Sequence, residues 1–341
     1  MTGQADANTA TAPVTSTPSP LTLWIVVPCY NEEAVLPETA RRLAAKLTAL
    51  RASGVAGPES RILLVDDGSS DGTWRLIEGL HRSGIPQTLT DPGVFRGIGL
   101  AHNVGHQIAL YAGLMHALKA GCDCAISLDA DLQDDIDAMD EILAAHLDGA
   151  EIVYGVRGDR DSDSGFKRTT AEAFYALMRM LGVEMVSDSA DYRLMGRRSL
   201  SALAEYRESG LFLRGIIPSL GFKTAEVRYS RAKRFAGESK YPLRKMVSFA
   251  LEGVTSFSVA PIRLVTALGL LSVIVSVGMV VYALVSAIRG TVVAGWTSLM
   301  VSIWFVGGLI MVSLGIVGEY VGRAYLEAKK RPRYIIERIL N

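Results

Sequence analysis

Two uncharged apolar runs, Leu264–Ile288 between Arg263 and Arg289 and Trp296–Val317 ahead of Glu319, constrain this chain most strongly. Each exceeds the roughly 20 residues a helix needs to cross a hydrocarbon core. A buried helical hairpin in a soluble core would read the same way, but two such lengths in tandem favour a membrane hairpin. They also explain a hydrophobic content of 49% and a mean hydropathy of +0.26. The connection Gly290–Gly295 carries no charge, whereas Arg323, Lys329, Lys330, Arg331 and Arg333 follow the second run. Because positive charge gathers on the cytoplasmic side, both flanks are expected in the cytoplasm. The expectation is a multi-pass protein of the inner (cytoplasmic) membrane with its large N-terminal part facing the cytoplasm.

The rest of the chain divides by composition. Residues 1–20 are rich in Thr, Ala, Pro and Ser, without a basic start or an apolar stretch, and read as a disordered tail. Residues 21–240 alternate short β-branched runs with helical patterns. Leu23–Val27, Arg61–Val65, Cys124–Leu128 and Glu151–Val156 read as strands; Glu33–Leu50, Asp71–His81, Gly105–Ala120 and Ile136–Leu147 read as helices. That alternation predicts βαβ units, a parallel sheet and an α/β fold. Residues 241–263 mix Arg244 and Lys245 with Leu243, Met246, Val247 and Phe249, suiting helices that lie in the membrane interface or an ordinary amphipathic surface helix. Residues 264–318 would then form the two spans and 319–341 a basic cytoplasmic end.

Ligands of parallel α/β sheets bind beyond the carboxyl ends of the strands. Three polar clusters fall there: Pro28-Cys29-Tyr30-Asn31-Glu32, Asp66-Asp67-Gly68-Ser69 and Asp129-Ala130-Asp131-Leu132-Gln133. Singly each is an ordinary turn. Jointly they make an acidic floor that a metal, or a base and ribose, would offset. Asp129 and Asp131 supply hard oxygen ligands suited to Mg2+ or Mn2+ bridging to a diphosphate, a solvated loop being the plainer reading. His102 and His106 are four apart and could share a helical face, but no third ligand is near in sequence, which argues against zinc. Asp134, Asp135, Asp137, Asp140 and Glu141 read as a solvated helix start. Arg157–Lys167 reads as a mobile loop, with a lid over a donor as the second option. The formal net charge is zero, so no global field favours nucleic acid. Cys29, Cys122 and Cys124 form no paired framework and suit a reducing compartment.

The stretches V-V-P-C-Y-N-E-E, V-D-D-G-S-S-D-G-T, L-D-A-D-L-Q-D and R-F-A-G-E-S-K-Y, in this order ahead of two apolar runs, resemble the polyprenyl-phosphate glycosyltransferases of glycosyltransferase family two. The resemblance runs from about Leu21 to the C-terminus and is nearest to the bactoprenol glucosyltransferase branch, related to dolichol-phosphate mannose synthase. It implies a GT-A fold, a nucleotide-sugar donor such as UDP-glucose, a polyprenyl phosphate acceptor, a bilayer and a homo-oligomer, tetramers occurring among relatives. By the same resemblance, Pro28, Tyr30, Glu32 and Asp67 lie near base and ribose, with Asn103 and Ser239 also on the donor. Asp129 and Asp131 hold the metal, and Gln133 sits near the sugar and the acceptor phosphate. Asn103 and Gly105 match an N-x-G element that Arg often precedes; here His102 does.

A lipid phosphate is anionic at neutral pH, so it can attack an anomeric carbon without a strong general base, and the protein's task is to bring two anions together. Arg234 and Lys240, with Ser239 and a permissive Gly237, would supply the cationic surroundings, unless they only touch anionic lipid. Asp191 and Arg193, in D-Y-R-L, resemble a family element near the acceptor side, with a structural ion pair as the plainer reading. A processive polysaccharide synthase would carry a Q-x-x-R-W segment, which this chain lacks. A non-catalytic scaffold would be expected to lose its acidic pair or its cations, and both are kept.

Overall fold

The computed structural model describes residues 19–85, 93–158, 189–208, 211–230, 260–289 and 295–341. Strand β1 (Leu23–Cys29) is buried along its whole length, as a continuous apolar run must be when helices cover both faces of a sheet. It pairs in parallel with β2 (Arg61–Asp66) and with β4 (Cys124–Ser127), and β2 pairs in parallel with β3 (Phe95–Leu100). Strands β5 (Ile152–Arg157), β6 (Ser189–Gly196), β7 (Thr224–Tyr229) and β8 (Ile336–Leu340) complete an eight-stranded sheet of order β7-β5-β6-β4-β1-β2-β3-β8.

The α/β class is as expected, but the sheet is mixed: β6 runs antiparallel to both β4 and β5, and β8 antiparallel to β3. β3 was hidden because Arg96, Gly97 and Gly99 interrupt its apolar pattern. A Cβ at Gly97 would sit 2.7 Å from Ile77 and 3.0 Å from Leu340, so the glycine lets a helix and β8 approach the strand.

Helix α1 (Leu36–Ala52) turns Leu36, Ala40, Leu43, Leu47 and Leu50 to one face of the sheet. On that face lie also α2 (Thr73–Ser83) and α4 (Met139–Leu147), while α3 (His106–Lys119), α5 (Arg197–Ala204) and α6 (Leu213–Ser219) cover the other. The two apolar runs are helical: α7 spans Ala260–Ile288 and α8 Trp296–Ala328, and the two touch. Within α8, Phe305–Ala328 is long and apolar enough to cross a membrane. α8 thus carries past the expected end at Val317 and takes in Glu319 and Arg323, which pair one turn apart at 3.2 Å. Beyond it, the basic end is not a free tail: Lys330, at φ 47, ends the helix in the left-handed region, and the chain returns to the sheet as β8. The segment 241–259 and the R-F-A-G-E-S-K motif lie outside the described residues.

Candidate active site

The order β4-β1-β2 brings the carboxyl ends of three parallel strands side by side, and Cys29 faces Asp66 across the ladder. Pro28 belongs to β1 and is buried opposite Val65. The first two clusters are zipped together. The Asn31 N–H donates to Ser69 Oγ (3.0 Å), the Ser70 N–H to Asn31 Oδ1 (2.8 Å), the Glu32 N–H to Thr73 Oγ1 (2.9 Å) and the Gly72 N–H to Glu33 Oε2 (2.9 Å). Asn31 adopts φ 56, which its short side chain tolerates. Tyr30 beside it is 49% exposed. Asp71 does not cap α2, whose N-cap is Gly72, yet its carboxylate accepts from Thr73.

Asp67 is buried, and its carboxylate gathers the loop that precedes α3. It accepts from the Val104 N–H (2.8 Å), the Gly105 N–H (3.0 Å) and Asn103 Nδ2 (3.0 Å). Burial pushes its pKa up and neighbouring Asp66 adds to this, against the pull of the two N–H groups. Gly68 makes the approach feasible: it adopts φ +66, and a Cβ there would lie 2.7 Å from the Asn103 nitrogen and from the His102 carbonyl carbon.

The D-A-D-L-Q-D loop is fastened by α1, by β7 and by a bond within itself. Thr39 of α1 donates to the Ala130 carbonyl (2.7 Å), the Gln133 N–H donates to Asp131 Oδ1 (3.2 Å), and Tyr229 Oη donates to Asp134 Oδ1 (2.6 Å). Tyr192, edge-on to Tyr229 at 5.3 Å, donates to the Asp135 carbonyl. Leu132 adopts φ 58, strained for a γ-branched side chain and held by this fastening. Asp134 is therefore buried, with Arg157 at 3.8 Å, and not part of a solvated helix start; Asp137 and Asp140 face solvent and pair with Lys46. The missed signal is Tyr229, whose sequence neighbourhood gives no hint that it reaches this loop.

Asp129 meets His106 and Asp191. The His106 Nε2 lies 3.4 Å from Asp129 Oδ1 and 3.2 Å from Asp191 Oδ2, and one ligand atom from each of the three falls within 4.8 Å of the others. His102 lies outside α3 and is not in this group; the partners of His106 come instead from the loop after β4 and from β6. Asp191 is buried and bonded to Arg193 at 2.8 Å and Arg214 at 3.1 Å. Burial alone would raise its pKa, but the His106 bond and the two guanidinium groups hold it well below the usual carboxylate range. Asp129 goes the other way: burial lifts it to about 6, with Asp191, Asp134 and Asp131 adding to the rise against His106. His106 is lifted, since Asp191 and Asp129 outweigh its burial.

These residues suit a hard divalent cation. Asp129 Oδ1 is buried without a hydrogen bond, and an elevated carboxyl in an acidic pocket is what a cation would relieve. The cluster joins Asp129 to His106 and Asp191; Asp131 lies two residues further along the loop, half-buried. Arg234, Ser239 and Lys240 are outside the described residues.

The family model for glycosyl transferase family 2 matches residues 24–203, the stretch that holds all three strand-end clusters. The chain belongs to glycosyl transferase family 2. It is 49% identical over 317 residues to the uncharacterized glycosyltransferase YkoT of Bacillus subtilis, covering 92% of this chain and 91% of that one. A prophage bactoprenol glucosyl transferase homolog of Escherichia coli is 38% identical over 322 residues, 92% of this chain and 98% of that one. The bactoprenol glucosyl transferase of Shigella phage SfII is 36% identical over 319 residues, 92% and 97%. This family member is a glycosyltransferase, and its mixed α/β sheet is the GT-A fold expected from the motifs.

Proposed function

We propose that this glycosyltransferase moves glucose from UDP-glucose onto a polyprenyl phosphate, giving a lipid-phosphate-sugar donor for cell-envelope glycosylation. The observation that carries the reading is likeness to bactoprenol glucosyl transferases across 92% of the chain, catalytic domain and apolar helices alike. An oxygen of the lipid phosphate attacks the anomeric carbon, the bond from that carbon to the diphosphate oxygen breaks, and UDP leaves. A single displacement inverts the centre, so an α-linked donor yields a β-linked lipid phosphate. The nucleophile is already anionic and needs no proton removed.

In this reading Pro28, Tyr30, Glu32 and Asp67 hold base and ribose, with Asn103 and Ser239 also on the donor, and Gln133 reaches the sugar. Asp129 and Asp131 would hold Mg2+ or Mn2+, which supplies charge neutralisation on the diphosphate. Arg234 and Lys240 take the acceptor phosphate. Asp191 orients Arg193, Arg214 and His106.

The return of the chain to the sheet supports two spans rather than one. β8 pairs with β3, which fits an even number of crossings between β7 and β8. Helices α7 and α8 together satisfy this, with the catalytic domain and C-terminal strand both cytoplasmic. Gly307, Gly308 and Gly315 leave open space on α8, suited to packing against further copies in a homo-oligomer. The test is incubation of the detergent-solubilised protein with polyprenyl phosphate, Mg2+ or Mn2+ and labelled nucleotide sugars. Label entering the organic phase from UDP-glucose supports the reading; label from a mannose, galactose, N-acetylhexosamine or aminoarabinose donor alone corrects the sugar, and no lipid label refutes it.

A further inference from the structure

The segment that leaves α8 does more than close the sheet. The Arg333 guanidinium donates to the Tyr206 carbonyl and lies 4.9 Å above the Tyr111 ring. Tyr334 meets the same ring edge-on at 6.3 Å. The Ile335 carbonyl then accepts from the Ala101 N–H at 2.9 Å, immediately ahead of the His102–Gly105 loop that Asp67 gathers. Further on, Arg338 lies 4.6 Å above the Trp74 ring. Trp74 follows Thr73, whose hydroxyl takes the Glu32 N–H. One short strap, joined directly to an apolar helix, thus touches the supports of both loops at the carboxyl ends of β1 and β2.

We infer that residues 333–338 position the donor-binding loops from the membrane side, with Arg333, Tyr334 and Arg338 acting as positioning residues for nucleotide-sugar binding. The inference rests on the reading of these loops as a nucleoside-diphosphate site. Physically, the Ala101 bond fixes where the loop starts, the aromatic contacts fix where the strap lies on α3, and Asp67 fixes where the loop ends. Loosening the strap frees the Val104 and Gly105 amides from the Asp67 carboxylate while leaving every residue assigned to the donor unsubstituted.

Hydrogen exchange and UDP binding on the full-length detergent-solubilised chain test this. Tyr334→Ala is expected to speed exchange of the Val104 and Gly105 amides about tenfold or more while β1 and β2 amides stay as slow as before. It is also expected to weaken binding of UDP with Mn2+ by about tenfold, with Tyr334→Phe, which keeps the ring, matching the unaltered chain. Arg338→Ala provides an independent variant should Tyr334→Ala fail to fold, and should act on the Glu32 amide instead. Unchanged exchange at these amides, or faster exchange spread equally over β1 and β2, overturns the positioning role. Faster local exchange with unchanged UDP affinity overturns its link to the donor. If the unaltered chain binds no UDP, the donor-site reading itself falls and takes the inference with it, while exchange still reports whether the strap holds the loop.

Discussion

Gly68→Ala is the sharpest perturbation the donor side offers, because the added methyl has nowhere to go. Holding a non-glycine residue at φ +66 costs about 1–2 kcal/mol. The new Cβ would meet backbone atoms of His102 and Asn103 at 2.7 Å, a contact no side-chain rotation relieves. The clash falls on the loop that supplies Asp67 with the Val104 and Gly105 N–H groups and the Asn103 amide. Displacing it loosens hydrogen bonds to a charged group, each worth about 1.5–3 kcal/mol. The loop is held by the Ala101 backbone bond and by Asp67 rather than by strand pairing, so it should yield before β1 or β2 does. Losing one such bond predicts UDP binding weakened about 10- to 100-fold, by the equivalence of 1.4 kcal/mol and a factor of ten. The unfolding midpoint should fall by only several degrees, at about 2–4 °C per kcal/mol for a domain of this size. Calorimetric titration with UDP and Mn2+, beside a thermal melt, reads both quantities. UDP affinity within twofold of the unaltered chain would refute the role given to the Gly68 approach.

The remaining predictions address the metal, the acceptor and the loop supports. Asp131→Asn should abolish sugar transfer while leaving the melting temperature and detergent-solubilised yield near those of the unaltered chain; transfer that persists counts against the D-A-D assignment. Lys240→Ala should raise the apparent KM for lipid phosphate far more than that for the nucleotide sugar, and equal effects on both would argue against an acceptor role. Tyr229→Phe removes the donor to the buried Asp134 carboxylate and should destabilise the protein by about 1.5–3 kcal/mol, read as a lower denaturant midpoint. Asp129 has a folded pKa lifted from 3.8 to about 6, so the folded state holds its proton more tightly. Its contribution to stability is present below the lower value and lost as pH rises through the higher one. A divalent cation needs the ionised form, so the rise in melting temperature on adding Mn2+ should grow from pH 5 to 7 and vanish in Asp129→Asn; a shift independent of pH would remove Asp129 from the site.

The parallel half of the fold was legible because burial on both faces leaves continuous apolar runs: Leu23–Cys29 and Arg61–Asp66 announce themselves, and so do the polar clusters that end them. The remainder was concealed by contacts between residues far apart in sequence. β3 carries Gly97 and Gly99 because Ile77, Trp74 and β8 press against it, so the packing that makes it a strand also removes its strand signature. β8 has the composition of a solvated tail, with Glu337 and Arg338 exposed, since an edge strand needs burial on one side only. At the site, the acidic clusters could be located but their partners could not. His106 acquires its meaning from Asp191, 85 positions away, and Asp134 from Tyr229, 95 positions away. Such pairings follow from the sheet order, in which β6 inserts antiparallel beside β4 and carries Asp191 to the carboxyl end of β4. A strand order that is not sequential leaves no local trace, yet here it decides which carboxylate is held ionised by arginines and which is left elevated to meet a cation.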